Sequence, residues 1–150
     1  MHRVRTFSSV LLLLAAPFCF ARDLAIIVNK SNPTSKVTAA ELEKLLTAAT
    51  PNWPDGKKVK IFLTDPLSSE NKTILPHAYN KMTPAEIKSL ADAHKADIQI
   101  VASDDIVLTM VDNNPGAIGI VNVYSINSQV KVLKVDDKLP MEQGYLLHGN

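Results

Sequence analysis

Few side chains in this 150-residue chain are arranged to make or break bonds. The four histidines, His2, His77, His94 and His148, share no ligand spacing, so no metal site is expected. The one cysteine, Cys19, lies near the N-terminus, and no G-x-S-x-G elbow or glycine-rich phosphate loop occurs. The paired acids Asp104-Asp105 and Asp136-Asp137 have structural accounts: one pair opens a helix and the other stands in a turn. What remains is a set of hydroxyls, amides and a cation beside expected helix starts. Ser69, Asn71 and Lys72 fall together, Ser31 follows the first strand, and Ser103 precedes a later helix. A helix start offers free backbone N–H groups and a partial positive charge, which suits an anion. Capping of the same helices accounts equally for the serines. These five residues are the candidate ligand-binding set; the chemistry is binding, and it calls for no cofactor.

The elements that must position them can be read from apolar runs and turn residues. Leu24–Val28 is a β-branched apolar run ended by Asn29-Lys30-Ser31-Asn32-Pro33, which predicts a fully buried strand and a turn. Thr38 and Glu41 form a capping box for a helix with Leu42, Leu45 and Leu46 on its apolar stripe. A loop at 51–58 leads to a strand at Val59–Leu63. Ser69 is expected to cap a helix over Glu70 to about Asn80, kinked or divided by Pro76. Thr83-Pro84-Ala85-Glu86 starts another helix, running to about His94. Ile98–Ala102 reads as a strand, Ser103-Asp104-Asp105 as a helix start and Ala117–Val121 as a further strand that tolerates Gly119. Val130–Val135 alternates apolar and polar residues like a half-exposed edge strand, and the tail from Asp136 reads as irregular. Strands alternating with helices predict an α/β domain with a mixed, mostly parallel sheet flanked by helices.

The N-terminus reads as an export signal. His2, Arg3 and Arg5 supply a basic start, Val10–Ala16 an apolar core too short to span a bilayer, and Cys19-Phe20-Ala21 a small-residue cleavage site. Lipid attachment at Cys19 would need a small residue before it, and that position is Phe18, so cleavage is expected after Ala21. The remaining 129 residues suit one domain, residues 22–150, in the periplasm or outside the cell. Losing Arg3 and Arg5 takes the 16 basic side chains to 14 against 15 acidic ones, a balance that argues against a nucleic-acid partner. No later stretch is long and apolar enough for a membrane span, and a monomer is expected.

Three segments carry a family resemblance. They are Val28–Pro33 leading into Val37–Leu42, Trp53-Pro54-Asp55-Gly56-Lys57-Lys58 before a strand, and Asn114-Pro115-Gly116-Ala117-Ile118-Gly119-Ile120-Val121. In order and spacing, over roughly Leu24 to Val135, the chain resembles the small phosphate-transporter-type substrate-binding proteins of the type 2 periplasmic-binding-protein superfamily. The resemblance implies a periplasmic-binding-protein-like domain that binds phosphate or a similar small anion, with an ABC permease as a partner. In that family an S-G-T-R loop opens a helix and helps hold phosphate; the matching stretch here is Ser69-Glu70-Asn71-Lys72. Lys72 keeps the charge of the arginine without its two-pronged geometry.

Glu70 is the main departure, because a carboxylate in that place repels an anion. At 4 Å two unit charges interact by about 1 kcal/mol in water and about 4 kcal/mol at an effective dielectric of 20, enough to weaken a site tenfold or more. An aromatic and glycine-rich stretch of the family is also missing after His94, and the family's usual two lobes would need a longer chain. Three classes of function follow: a solute-binding domain for a small anion, a domain of that fold that has lost its small ligand and binds a protein or envelope partner, and a secreted hydrolase. The absence of a nucleophile-and-base motif counts against the last.

Overall fold

The computed structural model describes residues 22–149; the expected export signal and its cleavage site lie outside the described residues. The first strand, β1 (Leu24–Asn29), is buried along its whole length. Its alternate side chains serve two cores. Leu24, Ile26 and Val28 join one face, Ala25 and Ile27 the other. A short β2 (Lys36–Val37) leads into α1 (Ala39–Leu46), where the capping box forms as the sequence predicts. The Glu41 N–H donates to Thr38 Oγ1 at 3.2 Å, and the Thr38 N–H donates to Glu41 Oε2 at 2.9 Å. Next come β3 (Lys60–Leu63), α2 (Pro84–Ala93), β4 (Ile98–Ile100), α3 (Asp104–Asn113) and β5 (Ala117–Asn122).

Two expected elements differ. No α-helix forms over 70–80; the segment is a run of turns with one 3-10 turn at Leu75–Ala78. Pro76 lacks an N–H and its ring opposes the carbonyl four residues back, which costs an α-helix about 3 kcal/mol or more at that point. Asn71 adds a second restraint by turning its side chain back onto the loop that precedes it. The expected strand over 130–135 is divided into β6 (Val130–Val132) and β7 (Lys134–Val135), which pair with different sheets. Leu133, fully buried between them, is the pivot.

The main sheet has the order β4-β3-β5-β1-β6. β3 is parallel to both β4 and β5, whereas β1 is antiparallel to β5 and β6. Four of the five strands therefore share a direction, and the sheet is mixed and mostly parallel. α1, α2 and the 3-10 turn cover one face, and α3 covers the other. Two glycines permit close approach. A Cβ on Gly119 would lie 2.6 Å from Val107 Cγ1 of α3, and one on Gly116 would lie 2.0 Å from the Lys58 carbonyl oxygen. That junction also joins two of the sequence segments singled out above. Trp53 Nε1 donates to the Gly116 carbonyl at 2.8 Å, beside the Lys60 N–H at 3.2 Å.

The tail after β7 is irregular yet docked. Tyr145 and Leu147 are buried in the larger core. The Tyr145 hydroxyl donates to the Leu24 carbonyl at 2.8 Å, and the Leu24 N–H donates to the Leu147 carbonyl at 3.0 Å. Asp23, fully buried, accepts from the Met141 N–H at 2.6 Å and lies 2.7 Å from His148 Nδ1.

Candidate binding rim at the carboxyl ends of the strands

Because β3, β4 and β5 run in parallel, the segments that follow them leave the sheet at one rim. These are the loop 64–72, the turn into α3, and residues 122–125. In open α/β sheets such a rim is where ligands collect. β1 runs the opposite way, and Leu24 pairs with Asn122, so the start of β1, with Arg22 and Asp23, reaches the same rim. The end of β1 reaches the other side.

This direction sorts the five predicted residues. Ser69, Asn71 and Lys72 lie on the loop after β3, and Ser103 lies at the start of α3, so four belong to one rim. Ser31 does not join them. It follows β1 at the opposite rim, where its N–H and hydroxyl donate to Asn29 Oδ1 at 2.9 and 2.7 Å. Asn29 in turn donates to the Val111 and Asp112 carbonyls in the last turn of α3, the far end from Ser103. Ser103 half-buried at its cap accepts from the Ile106 N–H at 3.3 Å.

Local bonding decides what the other three can offer. Ser69 is exposed and caps no helix; Ser68 holds the turn instead, its hydroxyl oxygen accepting from the Asn71 N–H at 3.2 Å. Asn71 is buried, and its amide donates to Thr64 Oγ1 and the Asp65 carbonyl, both at 2.9 Å. Those donors are spent on shaping the loop. Lys72 is exposed and forms no ion pair among the described residues.

Beside this loop the rim opens into a depression of about 500 Å³ lined by Arg22, Glu70, Asp104, Asn122, Tyr124 and Ser125. Arg22 Nη1 donates to Glu70 Oε1 at 3.3 Å, with both side chains about half exposed. An exposed pair of this kind is worth at most about 1 kcal/mol, so either group is available to a ligand. Asp104 Oδ2 accepts from the Asn122 N–H at 2.9 Å and the Ser125 hydroxyl at 2.7 Å, tying the first turn of α3 to the segment after β5. The depression thus carries one cation and two carboxylates. The sequence reading missed Arg22, Asn122, Tyr124 and Ser125. The signal for the last three was their place just past a strand end; for Arg22 there was none, because its position depends on the direction of β1.

Among the described residues no group of three or more His, Cys, Asp or Glu side chains could hold a metal ion. His148 is taken up with Asp23, and His77 Nδ1 lies 3.2 Å from the Leu146 carbonyl. No described helix is long and apolar enough to cross a membrane.

No family model matches the chain, and no curated protein matches it in sequence. Solved structures do. An ABC-type phosphate transport receptor from Vibrio cholerae superposes with a TM-score of 0.69 at 19% identity, over 86% of this chain and 54% of the receptor. PstS from Borrelia burgdorferi gives a TM-score of 0.69 at 19% identity, over 87% of this chain and 55% of PstS. A phosphate-binding protein from Stenotrophomonas maltophilia gives 0.60 at 13% identity, over 80% and 40%. The chain spans about half the length of the first two. Across that half, it has the fold of the phosphate ABC transporter substrate-binding proteins that its sequence resembles.

Proposed function

We propose that this chain is an exported, non-catalytic solute-binding domain for phosphate or a similar small anion, working beside an ABC permease. The observation that carries the reading is the fold shared with proteins named for phosphate, with the Ser69–Lys72 loop and the start of α3 leaving the sheet at one rim. Lys72 and Arg22 would supply the charge, and the Ser69 and Ser103 hydroxyls would donate to the anion's oxygens. Asn71 would hold the loop in shape. Ser31 would serve the turn after β1, at the far rim.

A specific observation favours a second reading. Glu70 and Asp104 face the same depression as Arg22. Two carboxylates there oppose an anion by the charge argument made for Glu70 alone. On that reading the domain keeps the fold and binds a protein partner.

Thermal unfolding with and without phosphate separates the two, with sulfate and chloride at matched ionic strength as controls. A site at a hundredfold saturation stabilises the fold by about 2.7 kcal/mol, several degrees at this size. A phosphate-specific shift that Lys72→Ala abolishes is the expected result. Cooperative unfolding without any shift rules out tight phosphate binding.

A further inference from the structure

We propose that a second copy of this chain docks on the carboxyl rim, so that two chains together enclose the depression that one leaves open. This goes beyond the solute reading, and it replaces the monomer expected from the sequence. The argument rests on where the exposed apolar side chains stand. Among the described residues five large hydrophobic side chains are exposed: Leu67, Ile106, Tyr124, Leu139 and Met141. Leu67 is on the loop after β3, Ile106 in the first turn of α3, and Tyr124 just past β5 in the wall of the depression. Met141 is fastened to the start of β1 through Asp23, and Leu139 precedes it by two residues. Four separate segments of the chain thus bring apolar groups to one rim. Tyr124 and Met141 are the most exposed, at 65% and 60%. Single exposed apolar residues are ordinary, but their convergence on one rim marks an interaction surface. Tyrosine and methionine are also types enriched in the buried centres of interfaces.

The charges at this rim suit a copy of itself. Arg22 and Lys72 stand beside Glu70 and Asp105, all exposed. A two-fold axis through the rim sets the basic groups of one chain against the acidic groups of the other, which is the self-complementarity an isologous dimer needs. Opposed this way, a partner's Arg22 offsets the Glu70 and Asp104 that burden the depression of a lone chain.

The test is the molar mass of the exported protein by sedimentation velocity over a range of concentrations, in phosphate-free buffer. Wild type is expected to approach twice the chain mass as concentration rises. Tyr124→Glu and, from a different segment, Leu67→Glu are expected to hold it at the chain mass while unfolding cooperatively at the midpoint of dilute, monomeric wild type. Both positions are exposed, so neither substitution reaches the core, and the two variants guard against one local failure. A wild-type protein that stays at the chain mass throughout overturns the proposal. So does a dimer that both substitutions leave intact, since it must use another face. A phosphate-free dimer with no phosphate-dependent shift in unfolding supports this proposal while ruling out tight phosphate binding.

Discussion

Substituting alanine at Gly116, just before β5, and at Gly119, within it, adds the same methyl group three residues apart, and the structure predicts different costs. At Gly116 the new Cβ meets the Lys58 carbonyl oxygen at 2.0 Å and its carbon at 3.1 Å. That obstacle is backbone, so relief requires the start of β3 to move away from β5. The movement strains two hydrogen bonds received by the Gly116 carbonyl, from Trp53 Nε1 and the Lys60 N–H. Each contributes about 0.5–1.5 kcal/mol net, and overpacking adds about 1–3 kcal/mol, so Gly116→Ala should cost about 2–6 kcal/mol. At Gly119 the obstacles are side-chain methyls, Val107 Cγ1 at 2.6 Å and Val111 Cγ2 at 2.9 Å. Here only the overpacking applies, about 1–3 kcal/mol. Val107→Ala should recover part of it, as a favourable coupling in a double-mutant cycle. Urea unfolding followed by fluorescence of the one tryptophan, buried Trp53, measures both. The reasoning is refuted if Gly116→Ala costs less than about 0.5 kcal/mol, the scatter of inert substitutions. It is refuted equally if Gly119→Ala proves the costlier, or if Val107→Ala gives no recovery.

Three further outcomes follow from the structure. Glu70→Gln should tighten phosphate binding about tenfold if an anion sits at the rim, read as a larger phosphate-dependent shift in unfolding; a weaker or unchanged shift would mean that the carboxylate does not face the anion. Asp23→Ala removes the acceptor for the Met141 N–H and the partner of His148, and should cost about 3 kcal/mol or more, with hydrogen-exchange protection lost at Met141 first. Burial raises the Tyr79 phenol, and burial with the nearby Asp23 charge raises the Tyr145 phenol, so both stay protonated in the fold at pH values where the unfolded chain ionises. Their contribution is therefore complete below about pH 10 and lost above it, at up to about 1.4 kcal/mol per pH unit for each. Tyr79→Phe should flatten that alkaline slope in a denaturant series and, since the Tyr79 hydroxyl has no partner among the described residues, should cost nothing at neutral pH.

Much of the fold is legible in local sequence because local physics decides it. The capping box at Thr38 and Glu41, the Thr83-Pro84 start and the Ser103 cap all form where their residue types demand. The apolar run of β1 is a buried strand for the same reason. The failures lie where distant contacts decide. Nothing in Leu24–Asn29 states that its partners are β5 and β6 in antiparallel register, yet that direction sends Ser31 to one rim and Arg22 to the other. Asn71 looks like a ligand-binding amide until Thr64 and Asp65 are seen to occupy it. Pro76 announced a break, and the break extends over the whole expected helix. Tyr145 and Leu147, in a tail without periodicity, pack into the core through a surface assembled by the rest of the chain.

The pairing of β1 also bears on when the molecule can fold. Its ladder partners, from Ile118 to Val132, come much later in the sequence, and the residues that fasten its start, Met141 to His148, come later still. A strand one in from the edge of the sheet is therefore made before its partners and satisfied only after them. While the chain emerges from a ribosome, or threads a membrane pore, β1 has nothing to pair with, and the sheet cannot close around it. Such long-range closure slows folding more than it weakens the finished structure. On the export reading proposed above the delay has a use: β1 stays unpaired until residues 118–148 have passed, and their closing onto it completes the sheet on the far side.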